Sequence, residues 1–214
     1  MKEEIINGIN YRLDEETLTA EVIEKSGGYE GGINIPGIVV FNELTYRVKS
    51  IGERAFYECL SLTSIVIPNT VISIGREAFR CCFSLKSINI PDSVTSIEKC
   101  AFYRCESLKY IAIPDSVTTI AWGAFSGSKS LKAIAIPDSV RSIGDYAFED
   151  CESLKYIAIP DCVMSIGYHA FYGCKSLYTI YYDGTKAQWG KTTSDEIGDY
   201  WLTDVQCYDG YVKI

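Results

Sequence analysis

The chain repeats itself every 23 residues. Residues 69–91, 92–114, 115–137, 138–160 and 161–183 read NTVISIGREAFRCCFSLKSINIP, DSVTSIEKCAFYRCESLKYIAIP, DSVTTIAWGAFSGSKSLKAIAIP, DSVRSIGDYAFEDCESLKYIAIP and DCVMSIGYHAFYGCKSLYTIYYD. Five of the six prolines keep the period (Pro68, Pro91, Pro114, Pro137, Pro160), and so do Phe56, Phe79, Phe102, Phe125, Phe148 and Phe171. In such a chain each unit packs only on its neighbours, so the core is a stack of equivalent rows.

A period between 20 and 29 with the strand signature L-x-x-I-x-I predicts a leucine-rich repeat, in which every unit adds one strand to a parallel sheet and returns on the other side. The expected fold class is an α/β repeat solenoid, with the parallel sheet on one face, short turns or helices on the other, and a cap at each end. In residues 154–159, Leu154, Ile157 and Ile159 should point inward and Lys155, Tyr156 and Ala158 outward, with Pro160 ending the strand because it cannot donate to the ladder. The return leg SIGDYAF places Ala147, Phe148 and Cys151 at a spacing that predicts a short helical turn facing the core. The Phe column should be the inner stack.

Fifteen positions separate Pro36 from Ile51 where a regular unit has six from proline to isoleucine, so GIVVFNELTYRV carries a nine-residue insertion. Residues 1–45 are read as an N-terminal cap rich in short antiparallel strands, residues 46–183 as the repeats, and residues 184–214 as a C-terminal cap in which Trp189, Trp201 and Val205 cover the last repeat. The three parts form one continuous domain.

A formal charge of −8 and a pI near 4.8 argue against nucleic acid and anionic membrane as partners, since both select clustered Lys and Arg. No window approaches the roughly 18 apolar residues of a membrane span, and the opening MKEEIINGINYRLDEE lacks the apolar core of an export signal.

Catalytic and metal chemistry find little support. Cys59, Cys82, Cys105, Cys151 and Cys174 fall on one column with Ser128 in the sixth place. Neighbours one strand apart lie within reach of a disulfide, but buried free thiols in a reduced setting are the favoured reading, since small apolar Cys is among the most buried residue types. Nine cysteines without a CxxC pair or a His cluster supply no zinc set, and no cofactor is expected. Of the adjacent Cys81 and Cys82, the second should face inward. His169, the one histidine, shares a variable position with Arg54, Glu77, Cys100, Gly123 and Tyr146 and is expected as a solvated surface side chain. Asp92, Asp115, Asp138 and Asp161 form a carboxylate column that could invite Ca²⁺, though Asp-Ser after a strand proline reads better as turn chemistry, the Asp side chain satisfying backbone amides.

The outward face of the sheet is more informative. Its columns read Thr63, Lys86, Lys109, Lys132, Lys155, Tyr178; then Ser64, Ser87, Tyr110, Ala133, Tyr156, Thr179; then Val66, Asn89, Ala112, Ala135, Ala158, Tyr181. Aromatic anchors around a shallow slot edged by cations suit a binding hot spot, and the candidate partner-binding set is Lys109, Tyr110, Lys132, Lys155, Tyr156, Tyr178 and Tyr181. The competing reading is that the surface varies neutrally and its lysines keep the sheet soluble. The first function class is a non-catalytic protein-binding scaffold, the second a glycan-binding module using the sheet-face tyrosines or the terminal tryptophans, and the third, an enzyme, lacks an assembled site.

With S-I-G-x-x-A-F-x-x-C-x-S-L-x-x-I-x-I-P in hand, as in residues 142–160, the chain resembles the BspA-like class of leucine-rich repeats over residues 46–183. The flanks NGINYRLDEETLTAEV, YYDGTKAQW and CYDG also look like that class. The resemblance implies a bacterial or protist protein, at the cell surface or secreted, that adheres to host matrix proteins or to other cells. The absent export signal departs from that pattern and keeps a cytoplasmic location as the alternative.

Overall fold

The computed structural model describes residues 1–193, 196–198, 202 and 204–213. It opens with β1 (Lys2–Ile6), β2 (Ile9–Asp14) and β3 (Thr19–Val22), an antiparallel set. Asn7 and Gly8 join the first two, both at positive φ, the two-residue Asn-Gly turn whose twist matches that of its flanking strands. After β4 (Gly31–Asn34) come β5 (Ile38–Phe41) and β6 (Leu44–Ile51), an antiparallel hairpin closed by Asn42 and Glu43, again at positive φ. This hairpin holds the nine-residue insertion.

Each repeat then contributes two short strands. The L-x-x-I-x-I segments give β7 (Leu62–Val66), and the S-I pairs that follow them begin with β8 (Ser73–Ile74). The alternation continues through β9 (Ser87–Ile88), β10 (Ser96–Ile97), β11 (Tyr110–Ala112), β12 (Thr119–Ile120), β13 (Ala133–Ala135), β14 (Ser142–Ile143), β15 (Tyr156–Ile159), β16 (Ser165–Ile166) and β17 (Thr179–Tyr182). Helix α1 (Lys186–Thr192), with Thr185 and Gln188 forming a capping box, precedes β18 (Asp204–Cys207) and β19 (Gly210–Lys213).

The long segments build the predicted parallel sheet, in the order β9-β11-β13-β15-β17-β18 with β19 added antiparallel at one edge. At the other edge the β4-β7 pair joins it through a bridge between Val66 and Asn89. The S-I pairs form a second parallel ladder, β6-β8-β10 and β12-β14-β16. The molecule is therefore a leucine-rich-repeat β-solenoid of about seven turns.

The α/β expectation is corrected here, because the return leg is not helical. Phe56, Phe79, Phe102, Phe125 and Phe148 donate their amides to the alanine carbonyl of the next repeat, at 2.7–2.9 Å, instead of to their own chain four residues back. Two residues in every repeat enforce this. Arg54, Glu77, Cys100, Gly123, Tyr146 and His169 all have φ of 51–58°, and Glu58, Cys81, Arg104, Gly127, Asp150 and Gly173, four positions on, have φ of 51–74°. A left-handed residue ends right-handed helix propagation, so the amides reach across to the neighbouring turn. The motif glycine makes that approach close: a Cβ on Gly144 would stand 2.8 Å from the amide nitrogen of Trp122.

Inside, the six Phe rings stack at 5.1–5.6 Å between centroids and within 6° of parallel. All are essentially inaccessible to solvent. Tyr29, outside the repeats, extends the stack at 4.7 Å from Phe56, with its hydroxyl donating to the Ile23 carbonyl and accepting from the Asn10 amide. Leu154, Ile157 and Ile159 are buried, with Lys155 and Tyr156 exposed and Ala158 partly so, as their alternation requires.

Candidate functional site

The sheet face is positioned row by row. Tyr110, Ala133 and Tyr156 occupy one register position on adjacent strands, and Ala112, Ala135, Ala158 and Tyr181 another. Tyr110 and Tyr156 thus flank Ala133 two rows apart, with exposures of 57% and 49%. Tyr156 and Tyr181 touch, ring centroids 4.9 Å apart, and Tyr178 stands exposed at the end of the lysine column. The aromatic patch continues past the predicted set: Tyr181 pairs with Gln206, which pairs with Tyr211, and residues opposite one another share a face. Tyr211 was missed because its place depends on the antiparallel register of the last hairpin. Lys109, Lys132 and Lys155 are exposed beside the tyrosines.

The cysteine column is built as core. All nine cysteines are free, and Cys162 alone of them is only partly buried. Cys82, Cys105, Cys151 and Cys174 donate to the Phe carbonyl of the preceding repeat at 3.1–3.3 Å, and Ser128 makes the same bond at 3.1 Å. A hydroxyl replaces a thiol there because the position needs a small donor. Burial pushes the Cys82, Cys105 and Cys151 thiols well above their ordinary range, which keeps them neutral. Cys81 is also buried, outside the core cluster.

Two expectations about polar residues need correction. His169 is not a solvated surface side chain: its ring stacks on Tyr168 at 3.8 Å and Tyr172 at 4.6 Å, meets Tyr146 edge-on, and lies 3.5 Å from Glu196. The adjacent repeat positions gather aromatics, and that packing covers it. After the strand prolines, the hydrogen bond is made by the residue following Asp: Ser93 and Ser139 donate to Val71 and Val117 of the preceding repeat at 2.6 and 2.7 Å. Each hydroxyl ties one turn of the solenoid to the next. Among the described residues, no group of three or more His, Cys, Asp or Glu is placed to hold a metal ion.

One polar cluster was not anticipated. Glu77, 5% exposed, accepts from Arg54 at 2.9 Å and Arg76 at 3.4 Å, with Arg80 at 3.7 Å. Burial raises its carboxyl pKa, but the Arg54 hydrogen bond and the three guanidinium charges outweigh that and hold it below the usual range.

Trp189 is buried against Tyr182, which removes it as an exposed glycan platform; Trp201 lies outside the described residues. A cleft of about 520 Å³ is lined by Met1, Lys2, Leu13, Asp14, Glu15 and Glu16. Among the described residues no helix is long and apolar enough to cross a membrane, a statement that does not bear on β-barrels.

Six copies of the BspA type leucine rich repeat region match residues 49–178. The chain belongs to this family. A leucine rich repeat protein of T. pallidum superposes with a TM-score of 0.69 at 27% identity, over 82% of this chain and 91% of that one. A leucine-rich repeat protein of Bacteroides capillosus gives 0.56 at 30% identity over 63% and 97%. A leucine rich cell surface protein of Faecalibacterium prausnitzii, at 19% identity over 92% and 98%, gives 0.52 and shares the fold. No curated protein matches. In this BspA-type chain, the strands that set Tyr110 and Tyr156 on one register lie within the matched repeats.

Proposed function

We propose that the protein is a non-catalytic binding scaffold that holds a protein partner against the open face of its parallel sheet, at the cell surface or secreted, in adhesion or host interaction. The observation that carries this is the group of exposed tyrosines, Tyr110, Tyr156, Tyr178, Tyr181 and Tyr211, set around a shelf of alanines on the sheet. Tyrosine supplies large contact area at little entropic cost, and the parallel register of adjacent strands sets the rings on one face. The surface location is supported by the likeness to the leucine rich cell surface protein of Faecalibacterium prausnitzii.

The terminal segments serve as caps on this reading: Tyr29 closes one end of the Phe stack, while Trp189 and Val205 are buried at the other. The test is Tyr110→Ala with Tyr156→Ala, screened against extracellular-matrix and cell-surface proteins. Both rings are exposed, so melting should be unchanged and partner binding weakened. Unchanged binding to a partner held by the unaltered chain would move the site off this face.

A further inference from the structure

The fold leaves one row of charge without a counterpart. Lys86, Lys109, Lys132 and Lys155 hold the same place on four consecutive strands, the amides of the last three each donating to the carbonyl of the lysine one row before at 3.1–3.2 Å. All four are exposed, and among the described residues none of them forms an ion pair. The next column out behaves differently. It reads Glu106, Lys129, Glu152, Lys175, and it neutralises itself: Glu106 pairs with Lys129 at 3.4 Å and with Arg104 at 3.1 Å, and Glu152 with Lys175 at 2.9 Å.

Like charges directly across adjacent strands destabilise a sheet, and at a row spacing of roughly 4.8 Å they lie well inside the Debye length of about 8 Å at physiological salt. In a chain of net charge −8, this row is a local concentration of positive charge that intramolecular pairing does not relieve.

We propose that the lysine row binds a linear anionic polysaccharide carrying a carboxylate or sulfate on each ring, laid across the strands along the solenoid axis. The direction and the spacing favour this ligand. An extended polypeptide presents same-face side chains roughly 6.6–6.8 Å apart and falls out of step with the rows, whereas in a two-fold polyuronate chain, whose successive rings turn opposite ways, carboxylates on one side recur at about two row spacings and meet alternate lysines. Beside Lys109 and Lys155, Tyr110 and Tyr156 offer flat ring faces for the C–H face of a sugar. Between them Ala133 and Ala135 leave the path open. The inference rests on the sheet face being the working surface, but not on a protein partner.

The test titrates the full chain with an oligogalacturonate long enough to span the four rows, by calorimetry at low and at physiological salt. Binding is expected to weaken steeply with salt. It should fall at least about tenfold in K109Q/K132Q/K155Q, stay within about twofold in K129Q/K175Q, and survive Lys→Arg changes at the first three sites, which keep the charge. The proposal is overturned by no binding at low salt, by equal losses in the two Gln variants, or by loss in the Arg variant. Equal binding of the methyl-esterified oligomer, or tighter binding of poly-Glu or oligothymidylate, also overturns it. Tyr110→Ala with Tyr156→Ala against a protein partner reports on the earlier reading, so the two can fail separately.

Discussion

A single buried side chain in this stack is repeated six times, so its energetics can be read against its own neighbours. Phe102 is sandwiched between Phe79 at 5.2 Å and Phe125 at 5.5 Å with no solvent exposure. Phe102→Ala should therefore cost about 3–5 kcal/mol in urea unfolding, the range for a fully buried Phe. At Cys105 the chain itself supplies the comparison, since Ser128 makes the same bond one repeat on. Cys105→Ala, which leaves the Phe79 carbonyl with the Cys82 amide alone as donor, should be less stable than Cys105→Ser by about 0.5–1.5 kcal/mol. The buried thiols also set a pH limit. Their folded pKa values are raised, as is that of Tyr29, pushed up to about 12 by burial. Groups raised in this way stabilise the fold fully below their unfolded pKa values, about 8.5 for Cys and 10 for Tyr, and that contribution is lost as pH climbs toward the folded values. Thermal melts should hold level to about pH 8 and decline above about pH 9, less steeply in Cys105→Ser; identical slopes would place the alkaline sensitivity elsewhere.

The return leg is the element where backbone, not side chain, decides the structure. Arg54, Glu77, Cys100, Gly123, Tyr146 and His169 share neither size, charge nor polarity, yet all sit at φ near 55°. The left-handed residue that breaks the expected helical turn was therefore not legible, because it is a property of the backbone that six different side chains tolerate. The buried columns were legible, because burial restricts identity at Phe, Leu and Ile positions to shapes that fill one row. The lysine and tyrosine columns could be placed on the outer face for the same reason, while Tyr29 and Tyr211, whose places depend on chain outside the period, could not. Tyr146 tests the backbone argument. Both Tyr146→Asn and Tyr146→Val lose the ring contacts, but Asn accepts a left-handed backbone and a β-branched residue does not. Val should be the less stable by about 1–2 kcal/mol, measured by chemical denaturation. The lysine row makes the opposite prediction at the same scale: K109Q/K132Q/K155Q should melt no lower than the unaltered chain, since the substitutions relieve repulsion without removing a contact.

At the scale of the whole molecule, nearest-neighbour construction means that a row can be removed without redesigning the rest. Deleting residues 115–137 takes out one complete period, from one strand proline to the next. Phe102 would then stack on Phe148, and Cys151 would meet the Phe102 carbonyl that Ser128 now satisfies. The shortened chain should fold cooperatively with a lower melting temperature, having lost one row of core. Deleting residues 115–132 instead would break the phase of every column and should not fold. The integral deletion also alters the sheet face in a defined way: Ala133 goes, and Tyr110 comes to lie one row from Tyr156 instead of two, closing the slot between them and shortening the lysine row from four to three. If the slot holds the partner, the folded deletion variant should lose binding that Ala133→Gly, which keeps the spacing, retains. Retained affinity in the deletion variant would show that spacing across the sheet is not what the partner reads.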